Sequence, residues 1–233
     1  MTTSPPPQAT HAPQPQAMNR WLSLASWILP LVGMALAYTV LAWSSETDNT
    51  GKAWMAIGFG FVVVIWIVFR ILVEQTALAR SVATNDVPRI LAITDRQLAR
   101  KRGDAARGPF LVYRAYAQEA RGSYADALTT LADAKPTDPG LQLLAAALRV
   151  LALVETGDIS AARTVASTEL EPRAAKLDVR LHAAPHIHAN LARGRLLLAE
   201  NKLDEGRKTL QRVIDDIRAG EPLRVRAREL IGR

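Results

Sequence analysis

The chain has 233 residues, enough for one or two compact units, and it contains no cysteine. Disulfides, zinc–thiolate sites and cysteine nucleophiles are therefore excluded, which leaves four histidines and scattered carboxylates as the material for catalysis. The formal net charge of +7 suits nucleic acid or anionic lipid as a partner, but an alanine- and arginine-rich sequence also gives a basic surface without any such partner.

The first segment, residues 1–19, is rich in proline, glutamine, threonine and alanine and carries no Asp, Glu, Lys or Arg. Such a composition cannot bury a core, so we predict a disordered tail. The apolar run that follows starts too late for a usual signal peptide and lacks the expected basic leader.

Two apolar runs come next, and we predict that residues 20–73 form a transmembrane helical hairpin. The first run, residues 21–43, has no charge and begins and ends with tryptophan, as membrane-interface positions often do. The second run, residues 53–73, has Arg70 as its single charge. Both runs are long enough for a helix that crosses a bilayer, which takes about 20 residues.

The charges around these runs predict an orientation. Acidic residues dominate the loop between the runs, whereas arginines flank or follow them. Because positive charge marks the cytoplasmic side, we expect both termini in the cytoplasm. The sequence thus predicts an integral membrane protein, of a bacterial inner membrane, that contacts lipid through residues 21–43 and 53–73.

The remainder of the chain is predicted to be helical. Leucine, alanine and arginine dominate it, and breaks rich in glycine, proline and aspartate separate segments of about 10 to 16 residues. We expect a linking and capping helix within residues 74–108 and a domain of helical hairpins over residues 109–233. Either Asn85 or Asp86 should cap a helix that has Pro88 in its first turn.

A recurring spacing marks the hairpin domain. Turn-forming residues stand at Gly122, Gly157 and Asn201, where a left-handed conformation would end a helix. The distance along the chain from the first turn residue to the second is close to ~34 residues, and the distance from the second to the third is longer. The extra length predicts an additional helix or a long turn at residues 169–185. Each turn is followed at fixed offsets by a small residue and then by an apolar one, namely Ala127 and Leu131, Ala162 and Ala166, and Gly206 and Leu210.

This spacing resembles the tetratricopeptide repeat family over residues 109–220. The tryptophan usual in the first helix is absent, with Leu111 and Ala146 in its place. The resemblance implies an α-solenoid of antiparallel hairpins, whose first helices line a concave groove that binds protein segments. By register, the resemblance implies that the partner-binding residues are Tyr116, Glu119, Leu151, His188 and Arg195. Two apolar runs before such repeats are also similar, in architecture alone, to the N-terminal part of bacterial HemY-type membrane proteins.

Three histidines lie close together at His182, His186 and His188, a spacing that can place metal ligands on one helix face. Pro185 breaks the helix between them, and Asp178 is the nearest carboxylate. We therefore predict a helix start with exposed or partly packed histidines, and no metal or other cofactor. No phosphate-binding loop, dinucleotide fingerprint or HExxH motif occurs, so we expect no enzymatic activity.

Basic residues cluster at residues 100–102 and again at Arg224, Arg226 and Arg228. Neither cluster alternates with aromatic residues, as a surface for single-stranded nucleic acid would. We interpret both clusters as solvated helix ends, with attraction to anionic lipid as the alternative for residues 100–102, and expect no nucleic-acid partner.

Together these features predict an all-α protein with two transmembrane helices and a tetratricopeptide-like α-solenoid. The function that they indicate is a membrane-anchored scaffold or assembly factor that binds partner proteins. One alternative is a structural subunit of a larger membrane complex, and another is a small metalloenzyme that uses the histidines. The sequence leaves open the identity of the partner and whether the chain forms a homo-oligomer.

Overall fold

The computed structural model describes residues 49–232, with side chains from residue 58 onward except at positions 59, 70, 71 and 73–75. Every regular element in these residues is a helix, so the predicted all-α class is confirmed for this part of the chain. The elements are α1 (Asn49–Ala83), α2 (Val87–Arg100), α3 (Asp104–Ala120), α4 (Tyr124–Ala132), α5 (Pro139–Glu155), α6 (Ile159–Val165), a π-helical segment (Ala166–Leu170), α7 (Glu171–Lys176), α8 (Ala183–Ala199), α9 (Leu203–Asp215) and α10 (Glu221–Ile231).

The chain divides into two compact units, Met1–Thr76 and Ala77–Arg233. Two predicted segments of the first unit, the tail at residues 1–19 and the apolar run at residues 21–43, lie outside the described residues. The described part of the first unit is helical, as the first turns of α1. The second unit holds the end of α1 and all the helices that follow it.

Among the described residues, no helix combines the length and the apolar character that crossing a membrane requires. The finding contradicts the predicted two-span anchor with its second span at residues 53–73, and with it the predicted location as an integral inner-membrane protein with both termini cytoplasmic.

The second unit is built from helical hairpins with identical turns. Gly122, Gly157 and Asn201 have φ angles of 81°, 86° and 67°, as their predicted role at helix ends requires. At the first turn the amide of Ser123 donates to the carbonyl of Gln118 at 2.8 Å, and the other two turns repeat this bond between equivalent residues. The three turns end α3, α5 and α8 in the same way, and each turns the chain back along the helix just completed.

Small residues allow the two helices of each hairpin to approach closely. Ala127 and Ala162 are completely buried. At Gly206 an added Cβ would lie 2.8 Å from the side chain of Leu198, and at Gly194 it would lie 2.7 Å from that of Leu210. The predicted offsets therefore mark packing positions, and the described part of the second unit is a helical-repeat-like array.

Two apolar cores hold the array together. The first lies among α2, α3, α4 and the start of α5 and includes Ile90, Val112 and Leu131. The second extends from α5 to α10 and includes Leu191 and Leu210. Because α5 contributes to both cores, it is the element that joins the early hairpins to the late ones.

The predicted insertion at residues 169–185 is confirmed as an extra helix, α7, followed by a turn. A π-helical segment precedes Pro172, which has no amide hydrogen to continue the α-helical bonding. Glu169 in this segment accepts hydrogen bonds from Arg149 at 2.7 Å and from Arg173 at 2.6 Å. The ion pair with Arg149 fastens the π-helical segment to α5.

The turn before α2 places the side chain of Asn85 beside Tyr116 of α3. Asp86 caps α2, with its carboxylate accepting from the amide of Arg89 at 3.3 Å, so Asp86 fills the cap position that the sequence left open between two residues. Asn85 instead takes the left-handed conformation, with a φ of 52°. Its side-chain oxygen accepts a hydrogen bond from the hydroxyl of Tyr116 at 3.2 Å.

Replacement of Ala127 by leucine tests the packing of α4 against α3. The site is fully buried, so the larger side chain should overpack it and lower the free energy of unfolding by about 1–3 kcal/mol. Urea unfolding followed by far-ultraviolet circular dichroism is the measurement, because all five tryptophans precede the second unit. Ala125→Leu, on the exposed face of the same helix, is the control. Equal effects of the two substitutions would contradict this packing.

Candidate functional site

A cavity of about 270 Å³ lies where the first helices of the hairpins meet the last helix. Helices α3, α5 and α8 supply one wall, and α10 supplies the other. Its lining residues are Asn85, Tyr116, Glu119, Ala120, Tyr124, Glu155, His188, Pro222, Leu223, Val225, Arg226, Glu229 and Leu230. Residues far apart in the chain therefore form one mixed aromatic and charged site.

A buried ion pair joins the two walls. The side chain of Glu119 is 1% exposed, and both of its oxygens accept hydrogen bonds from the guanidinium of Arg226, one of them at 2.7 Å. Burial acts to lower the pKa of Arg226, but the hydrogen bond and the charge of Glu119 outweigh it and raise the pKa. The bidentate geometry fixes α10 against the end of α3.

His188 packs against Tyr116 inside the same site. Their ring centroids are 5.6 Å apart with an interplanar angle of 71°, an edge-to-face contact. His188 Nδ1 lies 2.9 Å from the carbonyl oxygen of Ala184, whereas Nε2 has no hydrogen-bond partner among the described residues. Burial lowers the pKa of His188, so the ring is neutral at pH 7.

A second ion pair borders the cavity. Arg195 on α8 donates to Glu155 on α5 at 2.8 Å, and both side chains are largely buried. This pair ties the first helices of two successive hairpins together. It also occupies the carboxylate of Glu155, which lines the cavity.

The structure brings together most of the residues that the sequence singled out for partner binding. Tyr116, Glu119 and His188 line the cavity, and Arg195 reaches its edge through Glu155. Leu151 lies elsewhere, fully buried in the second apolar core, and offers no surface to a partner.

Sequence analysis missed the basic residue that completes the site. Arg226 was interpreted as part of a solvated helix end, and this interpretation is wrong because the side chain is paired with Glu119 and largely buried. Arg228, two residues later, is exposed and pairs with Glu221. The signal lay in the helical register, since Arg226 shares the buried face of α10 with Leu223 and Leu230, three residues before it and four after it.

The three neighbouring histidines separate in the structure. His188 enters the cavity, His186 Nε2 lies 3.2 Å from the carbonyl oxygen of Leu177, and His182 packs beside Gly140. Within the described residues, no group of three or more His, Asp or Glu side chains is placed to hold a metal ion. The metalloenzyme alternative thus has no ligand set in this part of the chain.

A second cavity, of about 450 Å³, lies between the π-helical segment, α8 and α9. Its charged side chains largely pair with one another, as Arg163 does with Glu200 at 2.6 Å. The hydrogen bond from Arg163, followed by that from Lys202, lowers the pKa of Glu200. This cavity is lined by no aromatic side chain, so the site at Glu119 is the better candidate.

Comparison with known proteins finds no matching protein-family model, no similar curated protein and no similar solved structure.

Replacement of Arg226 by methionine should strongly destabilise the second unit. The substitution keeps the length and helix propensity of the side chain but leaves Glu119 buried without its partner, at a cost of about 3 kcal/mol or more. Arg228→Met removes an exposed ion pair on the same helix and should cost less than about 1 kcal/mol. Urea unfolding measured by circular dichroism compares the two. If the two variants lose similar amounts of unfolding free energy, the buried ion pair contributes no more to stability than the exposed one.

Acidification should destabilise the folded chain through His188. Its pKa is lowered from the ordinary value of 6.5, so the unfolded chain binds a proton near pH 6.5 that the folded chain does not. This contribution to stability is complete above pH 6.5 and is lost as the pH falls below it. The groups that face the ring are Tyr116, Glu119 and Arg226.

The measurement is the free energy of unfolding between about pH 8 and pH 5, for the wild type and for His188→Gln. The glutamine variant should show a shallower decline below pH 6.5. Parallel curves would contradict a depressed pKa at this histidine.

Proposed function

We propose that the second unit is a protein-interaction module of the tetratricopeptide type, which acts as a scaffold or assembly factor by binding a segment of a partner protein. The observation that carries this proposal is the convergence of Tyr116, Glu119 and His188 on one cavity. These residues come from the first helices of two different hairpins, and in a solenoid of hairpins the stacked first helices form the extended binding face.

The repeat type is supported by the hairpins themselves. Three first helices end in the same left-handed turn, at Gly122, Gly157 and Asn201. Small residues follow these turns at matching offsets and lie at helix contacts. This combination of turn and packing positions is the pattern on which the resemblance to tetratricopeptide repeats rests.

The chemistry of the cavity supports recognition of a protein segment. Tyr124 and Val225 line the cavity, Tyr124 half-buried and Val225 exposed at 41%. Tyrosine and arginine are enriched at the energetically dominant positions of protein interfaces. The ion pair orders the side chains of Glu119 and Arg226 before any partner binds, which lowers the entropic cost of binding.

Site-specific photo-crosslinking tests the proposal. The full-length chain carries p-benzoylphenylalanine in place of Val225, at the cavity, or in place of Leu181, which is 80% exposed and does not line it. After irradiation in the native host, mass spectrometry identifies the crosslinked proteins. We expect a discrete partner from position 225 that position 181 does not capture.

Tyr124→Ala provides the matched variant for this experiment, because the half-buried tyrosine lines the cavity. The substitution should reduce the crosslink from position 225 at least tenfold while circular dichroism shows the chain still folded. A partner that is captured equally from both positions, or with equal yield in the Tyr124 variant, would overturn binding at this face.

A further inference from the structure

The hydrogen-bonding state of His188 defines what the cavity lacks. A carbonyl oxygen only accepts, so the Nδ1 atom that lies 2.9 Å from the Ala184 oxygen carries the ring hydrogen. The neutral ring therefore has its lone pair on Nε2, a buried atom that has no hydrogen-bond partner among the described residues. Since a buried acceptor without a donor is costly, a ligand that brings an N–H group gains free energy here.

The charges of the lining favour a cation. Three carboxylates line the cavity, those of Glu119, Glu155 and Glu229, against the single guanidinium of Arg226. Arg195 compensates Glu155 from outside the lining. Within the described residues Glu229 makes no ion pair, and it is exposed on α10, so the rim keeps a net negative charge.

The size of the cavity limits the ligand. Its volume of about 270 Å³ is below the range of about 300–1,000 Å³ typical of small-molecule sites, so it suits one side chain. The rings of Tyr116 and Tyr124 line it, and aromatic rings attract ammonium and guanidinium groups. The same wall already holds one guanidinium, that of Arg226 on Glu119.

From the unpartnered Nε2, the excess of carboxylates and the aromatic walls, we infer that this cavity receives an arginine or lysine side chain of the bound protein segment. The inference rests on the proposed function and names the residue type that the partner presents. The basic group donates to His188 Nε2, and its charge is balanced by Glu229 at the rim.

The test uses blocked amino acids as probes on the full-length chain. N-acetyl-arginine methylamide is compared with the citrulline derivative, which has the same length and no charge, and with the lysine derivative. The histidines are labelled with ¹³C at Cε1 alone, so four signals are present, and His188→Gln assigns the one of interest. We expect the arginine or the lysine probe to shift the His188 signal saturably, with a Kd at least tenfold lower than that of the citrulline probe.

Glu229→Gln provides a second readout, since it lies on the exposed face of α10 and leaves the buried ion pair intact. It should weaken binding of the cationic probe about threefold, as loss of one exposed charge contact does. Glu221→Gln is the matched control, on the same helix but outside the lining, and should leave binding unchanged. The inference is overturned if citrulline binds as well as arginine and lysine, or if no probe shifts the His188 signal.

The experiments can reject partner binding at the cavity and recognition of a basic side chain independently of each other. A crosslink from position 225 that depends on Tyr124, without any preference for a cationic probe, keeps partner binding and rejects the basic side chain. Preference for a cationic probe, without a crosslink that depends on Tyr124, rejects the proposed function and identifies the cavity as a site for a free organic cation.

Discussion

The ion pair between Glu119 and Arg226 is the contact on which the described site depends. The two residues are 107 positions apart, so the pair forms only when the hairpins curve enough to bring α10 back to α3. A carboxylate that is 1% exposed is costly to bury unless a cation with good geometry compensates it. The cavity, its aromatic lining and the unpartnered histidine nitrogen all lie beside this closure.

The cavity is a consequence of how the array closes. Small residues at the hairpin contacts bring paired helices close together, as Gly194 and Gly206 do for α8 and α9. The ion pair of Arg195 with Glu155 then joins the first helices α8 and α5. A cavity remains between α3, α8 and α10, and its lining holds three carboxylates and one guanidinium.

Neighbouring residues of the same type have different roles in this fold. Arg226 is paired with a buried carboxylate, whereas Arg228 is exposed with Glu221. His188 is buried against an aromatic ring, whereas His186 is half-buried next to a loop carbonyl. Composition assigns both members of each pair the same role, and only the helix face that each occupies separates them.

The sequence by itself determined the features that are set within one or two helical turns. The left-handed residues at Gly122, Gly157 and Asn201 and the capped start of α2 depend on hydrogen bonds between near neighbours. Tyr116, Glu119 and His188 could also be named as site residues, because the hairpin register places them on first helices, whereas the lining residues of α10 could not. The predicted span at residues 53–73 was wrong, because no helix among the described residues combines the length and the apolar character that crossing a membrane requires.

Tertiary structure alone decided the burial of Leu151 and the pairing of Arg226 with Glu119. Leu151 is buried because α5 packs within the second apolar core, and the ion pair forms because α10 lies against the end of α3. No short stretch of sequence encodes the ion pair, because the free energy of a buried charge depends on a partner that only the folded array supplies.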